Sequence, residues 1–343
     1  MSEVKTKKTG HVITLPDVRE YIIQPNRITN AIYNYTLYQE RIFTAILYYL
    51  QEPINNSMKN QPYTQLAMFS DTEVKLQIPL KEIAGASEYR DVKKALKEMA
   101  SIVLEVPYKD LQKQSWIEIT NMFTARIPDK GNYSKHIEIV MKTSVAARLI
   151  EIDKDSNSRA INYTRFVYQI SQGAENKYTS RLYKIISSWK KKGGFVIKLD
   201  VLKEALGIGD KYPTYKDFKK RVLLPVFEEL YEKSDCWFNC KASDFEVRDA
   251  RAVTHLNFKV ITPEIALMYD KRTEYIRNLV KDHFQFKSSD LDSISYILNN
   301  PDINRSHILT KIMQIANVIS EDKGIIHKAA YALKSLTNAF PSK

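Results

Sequence analysis

The chain has few of the residues on which several classes of protein depend. Among its 343 residues only Cys236 and Cys240 are cysteines, which excludes a disulfide framework and favours a reducing compartment. Their C-x3-C spacing, with no second pair, predicts two small packed side chains rather than a zinc site. No stretch approaches the roughly 18 apolar residues that span a bilayer, and the N-terminus lacks the apolar region of a signal peptide. We therefore expect a cytoplasmic protein with no membrane partner.

Signals of catalysis are also missing from the sequence. The nine glycines form no G-x-x-x-x-G-K-[ST] phosphate loop. The six histidines never form the H-x-H pair that a rolling-circle nicking enzyme would use to hold a metal. No G-x-S-x-G, H-E-x-x-H or EF-hand pattern occurs, and the carboxylates form no metal motif. We therefore predict a protein that is not an enzyme and that needs no cofactor and no metal.

Basic residues are abundant and unevenly placed. The net charge is +12 and the isoelectric point is about 9.3, which favours a polyanionic partner such as nucleic acid. With 44% hydrophobic and 27% charged residues, the composition is that of a folded protein, and the length suggests two or three domains. Residues 181–221 hold 12 basic and 4 acidic residues, so the charge is concentrated inside the chain rather than in a tail.

The order of predicted elements repeats once along the chain. After a flexible arm over residues 1–25, residues 26–160 contain a helix capped by Thr36, a break at EPINNSMKNQP, a strand at VKLQIPL, a short helix at PLKEIAG, a long helix at EYRDVKKALKEMASI and a ribbon. Residues 161–262 repeat this order with YTSRLYKIISSWKK, FVIKL, DVLKEALGI, TYKDFKKRVLLPVFEELYEK and CWFNCKASDFEVRDARAVTHLNFKV. We expect Thr179 or Ser180 to cap the first of these helices and Asp200 the short one.

This order is typical of the winged helix-turn-helix, in which a short helix and a turn present a second helix to the major groove beside a β-ribbon wing. We therefore predict an α+β fold with two tandem winged-helix domains. The first, residues 26–160, would serve dimerisation and DNA binding, and the second, residues 161–262, would be the main DNA-recognition domain. Residues 263–343 show only helical periodicity and are predicted to form a helical C-terminal region.

The long helix of the second copy carries the strongest chemical signal. Against the single acid Asp217, its first turns hold Lys216, Lys219, Lys220 and Arg221. At 100° per residue, one apolar arc that we expect to face the core consists of Phe218, Val222, Val226 and Leu230. Lys219 falls towards this arc, whereas the other three cations fall away from it. Pro225 removes one helical hydrogen bond and predicts a kink between a basic half and a packed half.

In a winged helix these first turns lie closest to the base edges. Arginine can hold guanine with its two-pronged fork, while lysine acts as a point charge. The alternative is a solvated basic face that serves solubility, but the neighbouring short helix, turn and ribbon favour DNA. Further DNA contacts, mainly to phosphates, are expected from Arg181 and Lys184 at a helix start, Lys211 and Tyr212 in the turn, Lys241, Arg248 and Arg251 in the wing, and, in the first copy, Arg90, Lys93, Lys94, Lys97, Lys130 and Lys135.

The second copy also carries a more specific pattern. The pieces R-L-Y at 181–183, L-K-E-A-L-G-I at 202–208 and Y-x-x-Y-K-D-F-K-K-R-V-L at 212–223 resemble the second winged-helix domain of iteron-plasmid replication initiator proteins. This family includes the initiators of F and related theta-replicating plasmids. NRITNAIYNYTLYQERIFTAILYYL at 26–50 is similar to the family's N-terminal helix. The resemblance covers roughly residues 26–260 and leaves the C-terminal region unexplained.

The resemblance implies an initiator that binds directly repeated double-stranded DNA at a plasmid origin in a bacterial cytoplasm. Members act as monomers at origins and as dimers, joined through the first domain, that repress their own gene. They melt nearby AT-rich DNA and recruit the host helicase and its loader. Two alternatives remain open from the residues alone, a winged-helix transcriptional regulator without origin activity and a structural protein with a basic surface.

Overall fold

The computed structural model describes residues 20–70, 72–109, 114–129, 135–298, 300, 303–322 and 324–341. Its contacts divide the chain into two compact units. The first contains the chain as far as Cys240 together with Val247–Val260, and the second contains Lys241–Glu246 together with Ile261–Lys343.

The first part of the first unit alternates helices with short antiparallel strands. Its elements are β1 (Tyr21–Pro25), α1 (Asn26–Thr29), α2 (Leu37–Tyr49), α3 (Gln51–Met58), β2 (Glu73–Pro79), α4 (Leu80–Ile83), α5 (Tyr89–Ala100), β3 (Val103–Lys109), β4 (Ser115–Asn121), β5 (Thr124–Arg126), β6 (His136–Lys142), α6 (Thr143–Ile150), β7 (Tyr163–Val167), α7 (Tyr168–Gln172) and α8 (Lys177–Ser188). The strands form a sheet in the order β2-β6-β5, a ribbon β3-β4 and a pair β1-β7.

Helix α2 is the centre of this part. The hydroxyl of Thr36 accepts a hydrogen bond from Gln39 N and the Gln39 side chain accepts one from Thr36 N, so the predicted cap is confirmed. The apolar face of α2 is buried against α4, α5, α7, α8 and β2. Because α5 packs directly on α2, its Val92, Leu96 and Met99 are buried and its opposite face is left outward.

Two features of this part differ from the expectation. α2 ends at Tyr49, just before EPINNSMKNQP, but most of that stretch is helical because α3 runs over Gln51–Met58. Pro53 lies in the first turn of α3, where a missing N–H leaves no helical partner unsatisfied. Tyr21–Pro25, assigned above to a flexible arm, form β1 and pair antiparallel with β7, Tyr21 opposite Val167.

The second part of the first unit completes another winged helix. After α8 come β8 (Gly194–Lys198), α9 (Leu199–Ala205), α10 (Tyr215–Phe218), a π-helical turn (Lys219–Leu223), α11 (Leu224–Lys233), β9 (Trp237–Phe238), β10 (Glu246–Asp249) and β11 (Ala252–Ile261). β11 pairs with β8, β9 and β10. The segments α10, the π turn and α11 follow one another without a break, and residues 215–233 are called the basic helix below.

The caps in this part differ in detail from the sequence prediction. Asn176, not Thr179 or Ser180, caps α8, because its Oδ1 accepts a hydrogen bond from Tyr178 N at 2.9 Å. Asp200 lies inside the first turn of α9 rather than at its cap. Gly207 ends α9 as predicted, with a left-handed φ of +60°.

From Pro263 onward, the described part of the second unit is helical, as predicted. It contains α12 (Pro263–Phe284), α13 (Ser288–Ser293), α14 (Ser295–Leu298), α15 (Arg305–Glu321) and α16 (Lys328–Ala339). Its core joins Ile276 and Val280 of α12 to the isoleucines of α15 and to Leu336 of α16. The buried Arg305 donates to the carbonyl oxygens of Leu298, Asn300 and Ile303. Among the described residues of the whole chain, no helix is both long enough and apolar enough to cross a bilayer.

Candidate nucleic-acid interface

The start of the basic helix is fixed by Thr214. Its Oγ1 accepts a hydrogen bond from Asp217 N at 3.1 Å and donates one to Asp217 Oδ2 at 2.7 Å. The carboxylate of Asp217 also lies in the first turn, where a negative charge is favourable for the helix dipole. The one acid of the basic stretch therefore has a structural role at the helix start.

The cations of this helix divide as the helical wheel predicts. Lys216, Lys220 and Arg221 are exposed, whereas Lys219 is partly buried. The predicted inward arc is fully buried, with no exposed surface on Phe218, Val222, Val226 and Leu230. The helix thus presents three outward cations from a rigidly packed base.

The effect of Pro225 is a π turn. Leu224 N donates to the carbonyl oxygen of Lys219, five residues earlier, and the backbone angles of Phe218 and Leu224 remain helical on either side. In a regular α-helix the ring of Pro225 would clash with the carbonyl group of Arg221 and leave it without a donor. The wider turn accommodates the proline by including one extra residue. This turn, which holds Lys219, Lys220 and Arg221, separates the basic half of the helix from the packed half.

The turn before the basic helix contains a strained residue. Tyr212 has a left-handed φ of 58°, which costs a non-glycine residue about 1–3 kcal/mol. Lys203 Nζ holds it by donating to its carbonyl oxygen at 3.1 Å. Burial and a hydrogen bond with Tyr212 raise the pKa of Tyr178 to about 12. Lys211 in the same turn is exposed. Sequence reasoning missed Lys203, because its acceptor lies nine residues further along the chain, outside α9.

The wing of the second winged helix is the β10-β11 hairpin. Arg248 and Arg251 are both exposed there, and the tight turn between the strands places Ala250 at a left-handed φ of 51°. Lys241 was predicted in this wing, but it lies in the loop between β9 and β10 and belongs to the second compact unit. The prediction that Lys241 is a wing residue is therefore wrong.

Arg181 and Lys184 were predicted to meet phosphate, and the structure contradicts this for both. Arg181 is 3% exposed, and its guanidinium donates to the carbonyl oxygens of Ile28, Ala31 and Ala205. Lys184 is fully buried, and its Nζ lies 2.9 Å from Glu40 Oε2. A buried cation is stable only when it is paired in this way, and neither side chain can reach a ligand in solvent.

The Lys184–Glu40 pair is part of a buried polar cluster. Lys184 Nζ also donates to Thr44 Oγ1 at 2.9 Å, and Ser180 Oγ donates to Glu40 Oε2 at 3.4 Å. Burial lowers the pKa of Lys184 below its ordinary value, although the carboxylate of Glu40 opposes the shift. The pair joins α8 to α2, so its role is internal.

In the first winged helix, cations from separate elements converge. Arg90, Lys93, Lys94 and Lys97 are exposed on α5. Arg90 and Lys93 line one groove together with Lys135, the residue before β6, and the groove has an apolar floor that includes Val92 and Leu96. The predicted ribbon cation and helix cations are thus brought together. Lys130 lies outside the described residues.

Over the part of the chain that the structure describes, no cluster of three or more histidine, cysteine, aspartate or glutamate side chains could hold a metal ion. Cys236 and Cys240 are both buried, and burial raises the pKa of Cys236 to about 12. The thiols are therefore packed side chains, as their spacing predicted.

Comparisons with known proteins support the same fold. The family model described as Initiator Replication protein, WH1, matches residues 21–187, and that described as Initiator Rep protein, WH2, matches residues 198–260. The PI protein of Escherichia coli is 29% identical over 178 residues, or 48% of this chain and 53% of that protein. The chain therefore spans about half the length of this curated relative.

A solved structure is also similar. The crystal structure of Pi initiator protein in complex with iteron DNA matches with a TM-score of 0.52 and 17% identity, over 71% of this chain and 98% of that chain. At this identity the likeness shows the fold alone, which is two tandem winged helices. The first family match extends through most of α8, beyond the predicted boundary at residue 160, and neither match includes residues 261–343.

Proposed function

The chain belongs to the family of initiator Rep proteins, and from this premise we propose that it initiates plasmid replication by binding directly repeated double-stranded DNA at an origin. The observation that carries the proposal is that α5 and the basic helix both present exposed cations, and that each is followed along the chain by a β-ribbon. The Pi initiator protein, which shares the fold, was crystallised with iteron DNA, and this supports a ligand of the same class.

The exposed cations of the basic helix are the proposed base-reading group. Arg221 has the fork that matches guanine O6 and N7, and Lys216 and Lys220 flank it as point charges. Lys219 is less suited because it is partly buried.

Phosphate contacts position such a helix without reading sequence. In the second winged helix we assign them to Lys211, Tyr212, Arg248 and Arg251. In the first we assign them to Arg90, Lys93, Lys94, Lys97 and Lys135.

A second copy of the chain is the proposed partner for the β3-β4 ribbon. On one face, Val103, Ile117 and Ile119 are 61%, 65% and 71% exposed. The register places Ile117 opposite Pro107 and Ile119 opposite Glu105, so these side chains share that face. Exposed apolar patches of this kind mark association sites. This supports dimerisation through the first winged helix, in equilibrium with a monomer that binds the origin, and repression of the protein's own gene by the dimer.

The proposal extends to the later steps of initiation, for which family membership is the support. We propose that the bound protein opens adjacent AT-rich DNA and recruits the host helicase and its loader in the bacterial cytoplasm. DNA binding and protein contacts suffice for these steps, so we assign no enzymatic activity.

The decisive experiment is a nuclease footprint on the DNA that flanks the gene, combined with a plasmid-maintenance assay. We expect protection of short direct repeats beside an AT-rich tract, and replication of a plasmid that carries the gene and its flanks. Protected repeats without plasmid maintenance would favour the winged-helix transcriptional regulator. A flank with no protected repeat would contradict the initiator.

The dimer proposal needs its own test. Replacing Ile117 and Ile119 with lysine should lower the fraction of dimer seen by sedimentation across a range of protein concentrations. Val196, 61% exposed on β8 in the other winged helix, provides the matched control as Val196→Lys. An equal effect of both changes would show that the ribbon does not form the dimer contact.

A further inference from the structure

A close contact between the two winged helices lies at the end of α9. Gly207 has a left-handed φ of +60° and packs against residues 31–35, called the docking loop below. A Cβ atom on Gly207 would lie 2.7 Å from both Tyr33 O and Asn34 Cβ and 2.8 Å from Asn34 Cα. Two of these atoms are backbone, which cannot move aside as a flexible side chain can. Only glycine permits this approach.

Arg181 joins the same two segments from the interior. Its Nε donates to the carbonyl oxygen of Ala205, the last residue of α9, at 3.2 Å. On the other side its Nη2 donates to the carbonyl oxygen of Ala31, and its Nη1 donates to Tyr33 Oη at 3.0 Å. The guanidinium also lies over the Tyr33 ring, 4.2 Å from its centroid. One buried side chain thus ties the docking loop to the helix-turn-helix of the second winged helix.

A third contact comes from the start of α8. Lys177 Nζ donates to Asn34 Oδ1 at 2.9 Å. Three independent contacts therefore hold the docking loop against α9 and α8, and none of them uses the exposed face of the basic helix. Since the turn after α9 leads directly into the basic helix, a fixed α9 also fixes the direction in which that helix leaves the domain.

We propose that the docking loop, Gly207 and Arg181 hold the basic helix at a fixed place relative to α5. They would thereby set the spacing that the chain accepts between the two DNA half-sites, one bound by each winged helix. The inference rests on the proposed function, because it requires both winged helices to bind one DNA site. One added base pair moves a half-site by about 3.4 Å along the axis and rotates it by about a tenth of a turn. Two helices held together rigidly cannot follow that change, whereas two loosely joined domains can. Gly207 and Arg181 are positioning residues and touch no DNA.

The turn offers a matched pair of variants. Gly209 has a φ of +57°, almost the same as Gly207, but a Cβ there would meet no atom within 4 Å. Gly207→Ala and Gly209→Ala therefore impose the same left-handed strain on the same turn. Only Gly207→Ala pushes against the docking loop, so the difference between the two variants isolates the contact.

The measurement is the affinity of the full chain for three DNA duplexes, each carrying the repeat protected in the wild-type footprint. One duplex has the native spacing, one has a base pair added between the half-sites, and one has a base pair removed. We expect Gly207→Ala to lose about tenfold or more of the wild-type preference for native spacing, while Gly209→Ala stays within about twofold of wild type.

Other outcomes would overturn the inference. Equal spacing preference in Gly207→Ala and Gly209→Ala would show that the docking loop does not set spacing. If Gly207→Ala does not fold, Arg181→Lys replaces it, because lysine keeps the buried charge but cannot bond to both segments. A wild-type preference in Arg181→Lys would again contradict the inference. A wild-type protein that protects no repeat would overturn the proposed function itself, which distinguishes the two failures.

Discussion

Two helices of one basic segment use their cations in opposite ways. On α8, Arg181 and Lys184 are buried and bonded to groups far away in the chain, whereas the basic helix holds Lys216, Lys220 and Arg221 in solvent. The cause is the number of neighbouring elements. α8 packs against β7, α7, α11, α1 and α2, and Tyr178–Ser187 are buried, so it has no free face over most of its length. The basic helix buries only one arc. Net charge along a segment therefore overstates the charge that a partner can meet.

The largest expected effect is on the buried side of this comparison. Lys184→Ala should lower the free energy of unfolding by about 3–5 kcal/mol, because it leaves the Glu40 carboxylate buried without a counter-charge. Urea denaturation at neutral pH measures this loss. The double variant Lys184→Met with Glu40→Leu should recover much of it, since no unpaired charge remains. A double variant as unstable as the single one would show that hydrogen bonds to Thr44 and Ser180, not charge pairing, hold the site together.

The next effect is on the exposed side. Arg221→Ala should reduce discrimination between the protected repeat and scrambled DNA by about 1–3 kcal/mol if the guanidinium reads a base. Its unfolding free energy should change by less than about 0.5 kcal/mol, because the side chain is exposed. Arg251→Ala in the wing is the control, expected to weaken binding to both DNAs alike. Should Arg221→Ala also weaken both equally, Arg221 is a phosphate contact.

A smaller change tests which exposed cations meet DNA. Lys211→Gln should reduce the slope of log affinity against log salt by about 0.9, the value for one lost phosphate contact. Lys191→Gln removes the same charge from an exposed site just before β8. The start of β8 is far from the wing turn, because Gly194 pairs with Lys259 at the opposite end of β11. The salt slope of Lys191→Gln should stay at the wild-type value. Equal slopes for the two variants would mean that general charge, not contact, controls affinity.

The smallest effect contrasts an exposed ion pair with the buried one. Lys94 Nζ lies 3.9 Å from Glu98 Oε1 on α5, and the two side chains are 76% and 45% exposed. Lys94→Ala should therefore change the unfolding free energy by only about 0.3–0.5 kcal/mol in low salt. The difference should vanish near 1 M salt, where the screening length is about 3 Å. A loss that persists in high salt would indicate packing by the lysine stem rather than charge.

The sequence predicted features that depend on local periodicity. The inward arc of the basic helix, the cap at Thr36 and the repeated order of helices and strands all follow from patterns within a few residues, and the structure contains them. The wheel also separated Lys219 from its three neighbours, because one arc of that helix is buried and the remainder is not.

Features that depend on distant partners could not be predicted. Arg181 is bonded to Ala31 and Ala205, and Lys184 to Glu40, so no local pattern shows that these cations are internal. A helical wheel assumes one buried face, and α8 is buried on nearly all sides. The prediction of a flexible arm over residues 21–25 was wrong for the same reason, because a five-residue strand is recognisable only beside its partner β7. Which exposed cations touch bases, and where the domain boundaries lie, stay predictions.

The pairing of β1 with β7 bears on how the chain folds as it is made. Glu20 N donates to the side chain of Gln169, 149 positions away, and the two strands lie side by side along Tyr21–Pro25. The first winged helix therefore cannot close until Val167 has left the ribosome, by which time the rest of that domain has been exposed for many seconds at typical synthesis rates. Loop closure over such a distance is slow relative to local helix formation. The N-terminal strand is thus added late to the first domain, at about the time when α8 becomes available to join it to the second.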